Sequence, residues 1–318
     1  MTQAMRFDKI DNRMRFLLTL SACCLTAASA TDLAAPSGSP DRGESVYARS
    51  CTACHGDLGN GKGQAAPYLD PRPRDFTSGM FKFRSTPSGE LPSDADLLRV
   101  IENGIPGSQM PAWKNLLTIR ERADVIAYIK TFAADFKEGA PASVSLPEAP
   151  AATETSVREG KYVYMLMECW ACHGAKGKAD GQSAKTLKDD AGLPIKPWNL
   201  TREHFKAGND PQSLYRTFST GLNGTPMPAY DASGFLIGGD VKVDPAKYKE
   251  GYSEAEVAEL TQWLLTQPKE AELQKGPEDH RQKLAEKRKW ALAYYVASLV
   301  KKPNFFVRMF TENTEETR

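Results

Sequence analysis

Two short frames limit what this chain can become: Cys51-Thr52-Ala53-Cys54-His55 and Cys169-Trp170-Ala171-Cys172-His173. In each, two thiols stand three positions apart and a histidine directly follows the second. This C-x-x-C-H spacing is the attachment signature of haem c. The thiols reach the two vinyl groups of one porphyrin, and the adjacent imidazole is placed beneath the iron. Four thiols could instead form two disulfide loops or one zinc site, but neither needs a histidine after both pairs. The frames therefore predict two covalently attached haem c groups. Cys51, Cys54, Cys169 and Cys172 are the attachment residues, with His55 and His173 as iron ligands.

The segments after the frames repeat one another. Gly63-Gln64 matches Gly181-Gln182, Pro73-Arg74-Asp75-Phe76-Thr77 matches Pro197-Trp198-Asn199-Leu200-Thr201, and Phe81-Lys82 matches Phe205-Lys206. Further on, Leu97, Arg99, Gly104, Gly107, Met110 and Pro111 meet Leu214, Arg216, Gly221, Gly224, Met227 and Pro228. Extra residues near Asp189 to Pro194 in the second copy, and a longer Ser88 to Asp94 loop in the first, absorb the changes of register. Such self-similarity means two copies of one domain. In both, a helix is expected to end at a glycine and give way to a loop that presents one methionine before a proline.

Each copy resembles a class I cytochrome c domain, with its attachment frame near the start, a methionine loop later and a closing helix. The resemblance covers about residues 42–132 and 158–301. It implies an all-α fold, two tandem class I cytochrome c domains, each a small helical bundle around a covalently bound haem. It also implies Met110 and Met227 as distal iron ligands. A thioether opposite an imidazole is soft, favours ferrous iron and raises the reduction potential. A lone buried methionine is ordinarily a core filler, but two at matching places in a repeat point to a shared task. The chain has 4 histidines; the other two, His204 and His280, lie in charged stretches and are expected at the surface.

Residues 1–30 read as an export signal, because Arg13 and Arg15 precede an apolar stretch from Phe16 to Ala28 that closes in Ala28-Ser29-Ala30. The segment Leu20-Ser21-Ala22-Cys23 offers a second reading, a lipoprotein box with a lipid anchor at Cys23. Nothing later supplies eighteen uncharged apolar residues, so no transmembrane helix is expected in the mature chain, and its expected location is the periplasm. The first cytochrome c domain is expected over 31–137, a proline-bearing connector over 138–156, the second domain over 157–303 and a polar tail over 304–318. Helical periodicity marks 94–102 and 119–132, where Ile119, Val125, Ile126, Ile129 and Phe132 share a face. Two stretches could close the second copy, 254–266 and 284–300. Matching Ala127-Tyr128-Ile129 to Tyr294-Tyr295-Val296 favours the later one, which makes 229–283 an insertion close to a haem edge.

Lys and Arg number 41 against 40 Asp and Glu, so no bulk charge directs the chain to nucleic acid or an anionic membrane. With both irons held on both faces by protein atoms, the resemblance implies no catalytic residue and no enzyme activity. It implies one-electron transfer between a protein donor and acceptor, as a free shuttle or as the electron-transfer subunit of a respiratory or larger oxidoreductase complex. The alternative is a dihaem cytochrome c peroxidase, which needs one iron able to open and a distal pocket with acid and base groups. Here the first copy has its own methionine loop and no histidine besides His55. Arg74, Trp198, Lys82 and Lys206, at matched places before the methionine helix, are candidate donors to haem propionates.

Overall fold

The computed structural model describes residues 37–301. The export signal with Cys23 and Cys24, and the tail over 304–318, lie outside the described residues. Among the described residues the secondary structure is helical, with no strand, and the apolar side chains form two separate cores.

The first copy contains α1 (Pro40–Ser50), α2 (Thr52–His55), α3 (Asp94–Asn103) and α4 (Ile119–Ile129). Pro40 opens α1, where its missing N–H costs nothing. Reciprocal capping boxes start the next two long helices, Ser93 with Asp96 and Thr118 with Glu121. Val125, Ile126 and Ile129 of α4 enter the first core, whereas Ile119 is 50% exposed. Ile119 directly follows the cap, before the helix reaches the core, so the apolar face starts a turn later than its periodicity predicts.

The second copy contains α5 (Glu154–Leu166), α6 (Cys169–His173), α7 (Pro211–Thr220), α8 (Pro245–Tyr248), α9 (Glu254–Leu265), α10 (Glu270–Lys275) and α11 (Glu278–Ser298). Its first and last helices cross as α1 and α4 do. A β-carbon on Gly43 would stand 2.0 Å from the Asp124 carbonyl oxygen and 2.8 Å from Tyr128 Cβ. A β-carbon on Gly160 would stand 1.9 Å from the Ala291 carbonyl oxygen and 2.7 Å from Tyr295 Cβ. Backbones this close leave room only for hydrogen, and Tyr128 and Tyr295 occupy equivalent places. Thus α11, not α9, packs across the opening helix of its copy.

The stretch between Tyr230 and α11 belongs to the second core. Phe235, Tyr248, Val257, Leu260 and Leu264 are all buried there. Arg288, 1% exposed, donates to the carbonyls of Phe235 and Ile237 and to Gln267 Oε1. Lys289 donates to Ser219 Oγ and the Tyr230 carbonyl. These bonds satisfy charges that would otherwise be costly to bury.

Glu256 ties α9 to α5. Its carboxylate accepts from Ser253 N–H and Oγ, from Lys161 at 2.7 Å and from Lys176 at 3.3 Å. Burial alone would raise its pKa, but the hydrogen bonds from Lys161 and Ser253 outweigh that and hold it at about 2. Because the folded value lies below the unfolded one, the stabilisation is complete above the ordinary carboxylate range. It is lost as pH falls towards 2. Glu256→Gln is therefore expected to cost about 2 kcal/mol at neutral pH. The gap to the parent should close on acidification, as urea unfolding at a series of pH values would show.

The connector has no helix between Gly139 and Ala152, in keeping with its composition, yet it is tied to both copies. Val144 N–H donates to the Ser85 carbonyl, the Ser143 and Ser85 hydroxyls bond at 2.7 Å, and the Tyr294 hydroxyl donates to the Pro150 carbonyl.

Candidate haem attachment sites

The frames fold as the one-turn helices α2 and α6, which bring both cysteines and the histidine of each frame into one turn. Cys51 packs against the first core and Cys169 against the second, and among the described residues the four thiols do not converge on one metal site. Burial pushes the Cys51 and Cys169 thiols each up to about 12. Such apolar slots suit a thioether better than a thiolate.

His55 Nδ1–H donates to the Arg74 carbonyl at 3.0 Å, and His173 Nδ1–H donates to the Trp198 carbonyl at 2.9 Å. A carbonyl only accepts, so the tautomer is fixed: the proton sits on Nδ1 and the Nε2 lone pair is left for a metal. Burial lowers the pKa of both rings and keeps them neutral. His55 is further fixed by stacking on Phe76, centroids 4.4 Å apart.

The carbonyl of the residue after each frame histidine is also held. Tyr47 donates its hydroxyl to Gly56 O at 2.8 Å, and Tyr164 donates to Gly174 O at 2.7 Å, both buried. This pair lies before the frames, where the matching of the two copies begins, and its signal in the sequence is a tyrosine one helical turn or so before each first cysteine. Removing the hydroxyl strands a buried carbonyl. Tyr164→Phe is expected to lower stability by about 1–2 kcal/mol, measured by thermal unfolding of the haem-loaded protein.

The two methionine loops are built alike. Met110 N–H bonds Ser108 Oγ and its carbonyl accepts from Ile105 N–H, while Met227 N–H bonds Thr225 Oγ1 and its carbonyl accepts from Leu222 N–H. Met110 is half-buried, and Met227 packs against the second core. His204 and His280 are both exposed.

The copies differ around the attachment frames. Trp170, between the cysteines of the second frame, is 8% exposed and covered by Tyr248 and Tyr252, with centroids at 5.8 and 6.4 Å. Thr52, its counterpart in the first frame, is half-buried, and the neighbouring Ala53 is exposed.

Haem also needs donors for its propionates, and the residues fit. Trp198 Nε1 is buried without a hydrogen-bond partner. Arg74, Lys82 and Lys206 are partly buried, and among the described residues none of their side chains forms an ion pair.

Paired helical bundles, each with a C-x-x-C-H turn, an oriented imidazole and a methionine loop, define a dihaem c-type cytochrome. The family model described as cytochrome c oxidase, cbb3-type, subunit III matches residues 38–129, and the cytochrome c model matches 157–300. Among solved structures, a chain of the Kuenenia stuttgartiensis reducing HAO-like protein complex Kustc0457/Kustc0458 is 34% identical. That match covers 85% of this chain and 100% of the other, with a TM-score of 0.65. A search of curated proteins found no match. The chain belongs to the cytochrome c family as two tandem class I domains, and it carries two covalently bound haem c groups.

Proposed function

We propose that this chain moves single electrons between protein redox partners in the periplasm, and that His55 and Met110 would hold one haem iron and His173 and Met227 the other. The observation that carries the reading is the fixed imidazole tautomer, present twice, in copies that each also have a methionine loop of the same hydrogen-bonded form. When bound, haem supplies a one-electron Fe(III)/Fe(II) couple. The chain's own residues do the rest. The Arg74 and Trp198 carbonyls orient the imidazoles, Tyr47 and Tyr164 hold the following turns, and the aromatic cores keep water out. Protein atoms held on both faces of each iron would leave no position for a substrate.

In this reading residues 31–137 and 157–303 are the two haem domains, joined by 138–156, and 229–283 is an insertion in the second. The periplasmic placement is supported by the export signal read in residues 1–30. The likeness to a chain from an HAO-like protein complex favours a further reading of assembly, in which this chain is a fixed subunit relaying electrons from a larger partner. Copurification of the native protein with a large partner would favour the subunit, and recovery as a free monomer would favour the shuttle.

Carbon monoxide offers a direct test of the closed irons. Added to the fully reduced protein, it should leave both haem spectra unchanged. A carbonyl complex at one haem, together with consumption of added hydrogen peroxide, would replace this reading with the dihaem peroxidase.

A further inference from the structure

The two copies meet through the residues that follow their matched prolines. The Trp198 ring of the second copy lies against the first copy's methionine loop, where a β-carbon on Gly107 would meet Trp198 Cη2 at 2.4 Å. Reciprocally, Arg74 Nη1 of the first copy lies 3.6 Å from the β-carbon position of Gly224 in the second methionine loop. Gly107 and Gly224 are repeat partners, as are Arg74 and Trp198, so the contact has approximate two-fold character. Direct bonds join the copies alongside it: Arg84 donates to the Thr220 carbonyl at 2.5 Å, and Gly89 N–H donates to Asn223 Oδ1 at 3.1 Å.

This contact gathers positive charge. Lys82 is pushed down to about 8 by burial and by the nearby Arg74 and Lys206, so groups from both copies sense one another. Lys206 and Arg202 lie over the Trp198 ring at 5.1 and 5.2 Å. Lys82 also lines a small gap between the copies together with Arg84, Arg99 and Arg216. Asp189, Asp190, Asp75 and Asp70 favour the charged forms of Arg74, Lys82 or Lys206 from a distance, but none forms an ion pair with them. Desolvated like charges beside an unpartnered buried indole N–H are costly unless an anion answers them. Each haem brings two carboxylates.

We propose that Arg74 and Lys82 from the first copy, with Trp198 and Lys206 from the second, form one seat shared by the propionates of both haems, so that each domain tunes the reduction potential of the other's iron. This rests on the two-haem reading above and adds to it a cross-domain assignment. Trp198 reaches the first haem's methionine loop, and Arg74 reaches the second's. Removing a cation from the seat leaves a propionate charge unanswered, which favours the ferric state and lowers the potential.

The test uses the full haem-loaded protein, with each potential assigned by the shifted haem-methyl NMR signals of partly reduced samples. Arg74→Gln should lower the second haem's potential, and Lys206→Gln and Trp198→Phe the first's. The expected shift is about tenfold in the reduction equilibrium, about 59 mV for one electron. Arg74→Lys, which keeps the charge, should restore most of the loss. Trp198→Phe removes the N–H together with the outer edge of the indole that meets Gly107, so it should also shift the propionate bands in redox-difference infrared spectra, a readout that lost packing alone would not move. Should one variant fail to fold, the others read the same seat from the opposite copy. Shifts confined to each residue's own haem, or no shift at all, would overturn the proposal. A haem count below two in the parent protein would instead overturn the two-haem reading.

Discussion

Replacing Met227 by leucine is expected to leave the fold intact and to transform the second haem. Met227 packs against the second core, and leucine matches its volume closely, a swap that usually costs under about 1.5 kcal/mol. The loop is held by backbone and Thr225 bonds that the substitution spares. What disappears is the thioether. The second haem should become high-spin in the ferric state, its potential should fall by a few tenths of a volt, and it should bind carbon monoxide when reduced. The first haem should keep its spectrum, and Met110→Leu should give the mirror result. Potentiometric titration followed optically resolves both. An unchanged second haem in Met227→Leu would remove this residue from the coordination sphere.

The second large effect is on stability. Gly160→Val should destabilise the second domain by about 3 kcal/mol or more. The new β-carbon would fall 1.9 Å from the Ala291 carbonyl oxygen, inside the backbone of α11, where no side-chain rotation relieves the clash. The two helices would have to part, opening the core around Val163 and Leu292, which are 0% and 1% exposed. Gly43→Val should do the same to the first domain through Asp124. Urea unfolding read separately by Trp fluorescence, weighted to the tryptophan-rich second copy, and by each haem's absorbance would show which domain is weakened. An unaltered midpoint in Gly160→Val would mean that the helices do not cross this closely.

Much of this was legible in the residues because the chemistry demands fixed spacing. The C-x-x-C-H frames, the paired methionine loops and the helices over 94–102 and 119–132 are all local patterns, and the all-α cytochrome fold follows from them. What stayed hidden depends on contacts between distant segments. Gly43 and Gly160 are marked as crossing points only by carbonyls on the closing helices, at Asp124 and Ala291. Tyr47 and Tyr164 stand at slightly different distances from their first cysteines, which breaks the register just where the repeat would have shown them. Arg288 and Lys289 lie in a run of charges that reads as a wet surface. Both are buried, their stems in apolar packing and their donors, apart from Arg288 Nε, on carbonyls and hydroxyls. Arg74 and Trp198 were visible as candidate propionate donors. Their reach across to the other copy's methionine loop was not, because no sequence pattern records how two domains face each other.

Electron paramagnetic resonance of the fully oxidised, mature protein, recorded alongside its near-infrared charge-transfer spectrum and a haem count per chain, bears most directly on the two closed irons. Two haems, two low-spin signals and a sulfur-to-iron band of full intensity for both are the expected result. A high-spin signal from either haem, or one that appears when the other is reduced, would contradict paired histidine and methionine ligation and mark an iron that opens to substrate.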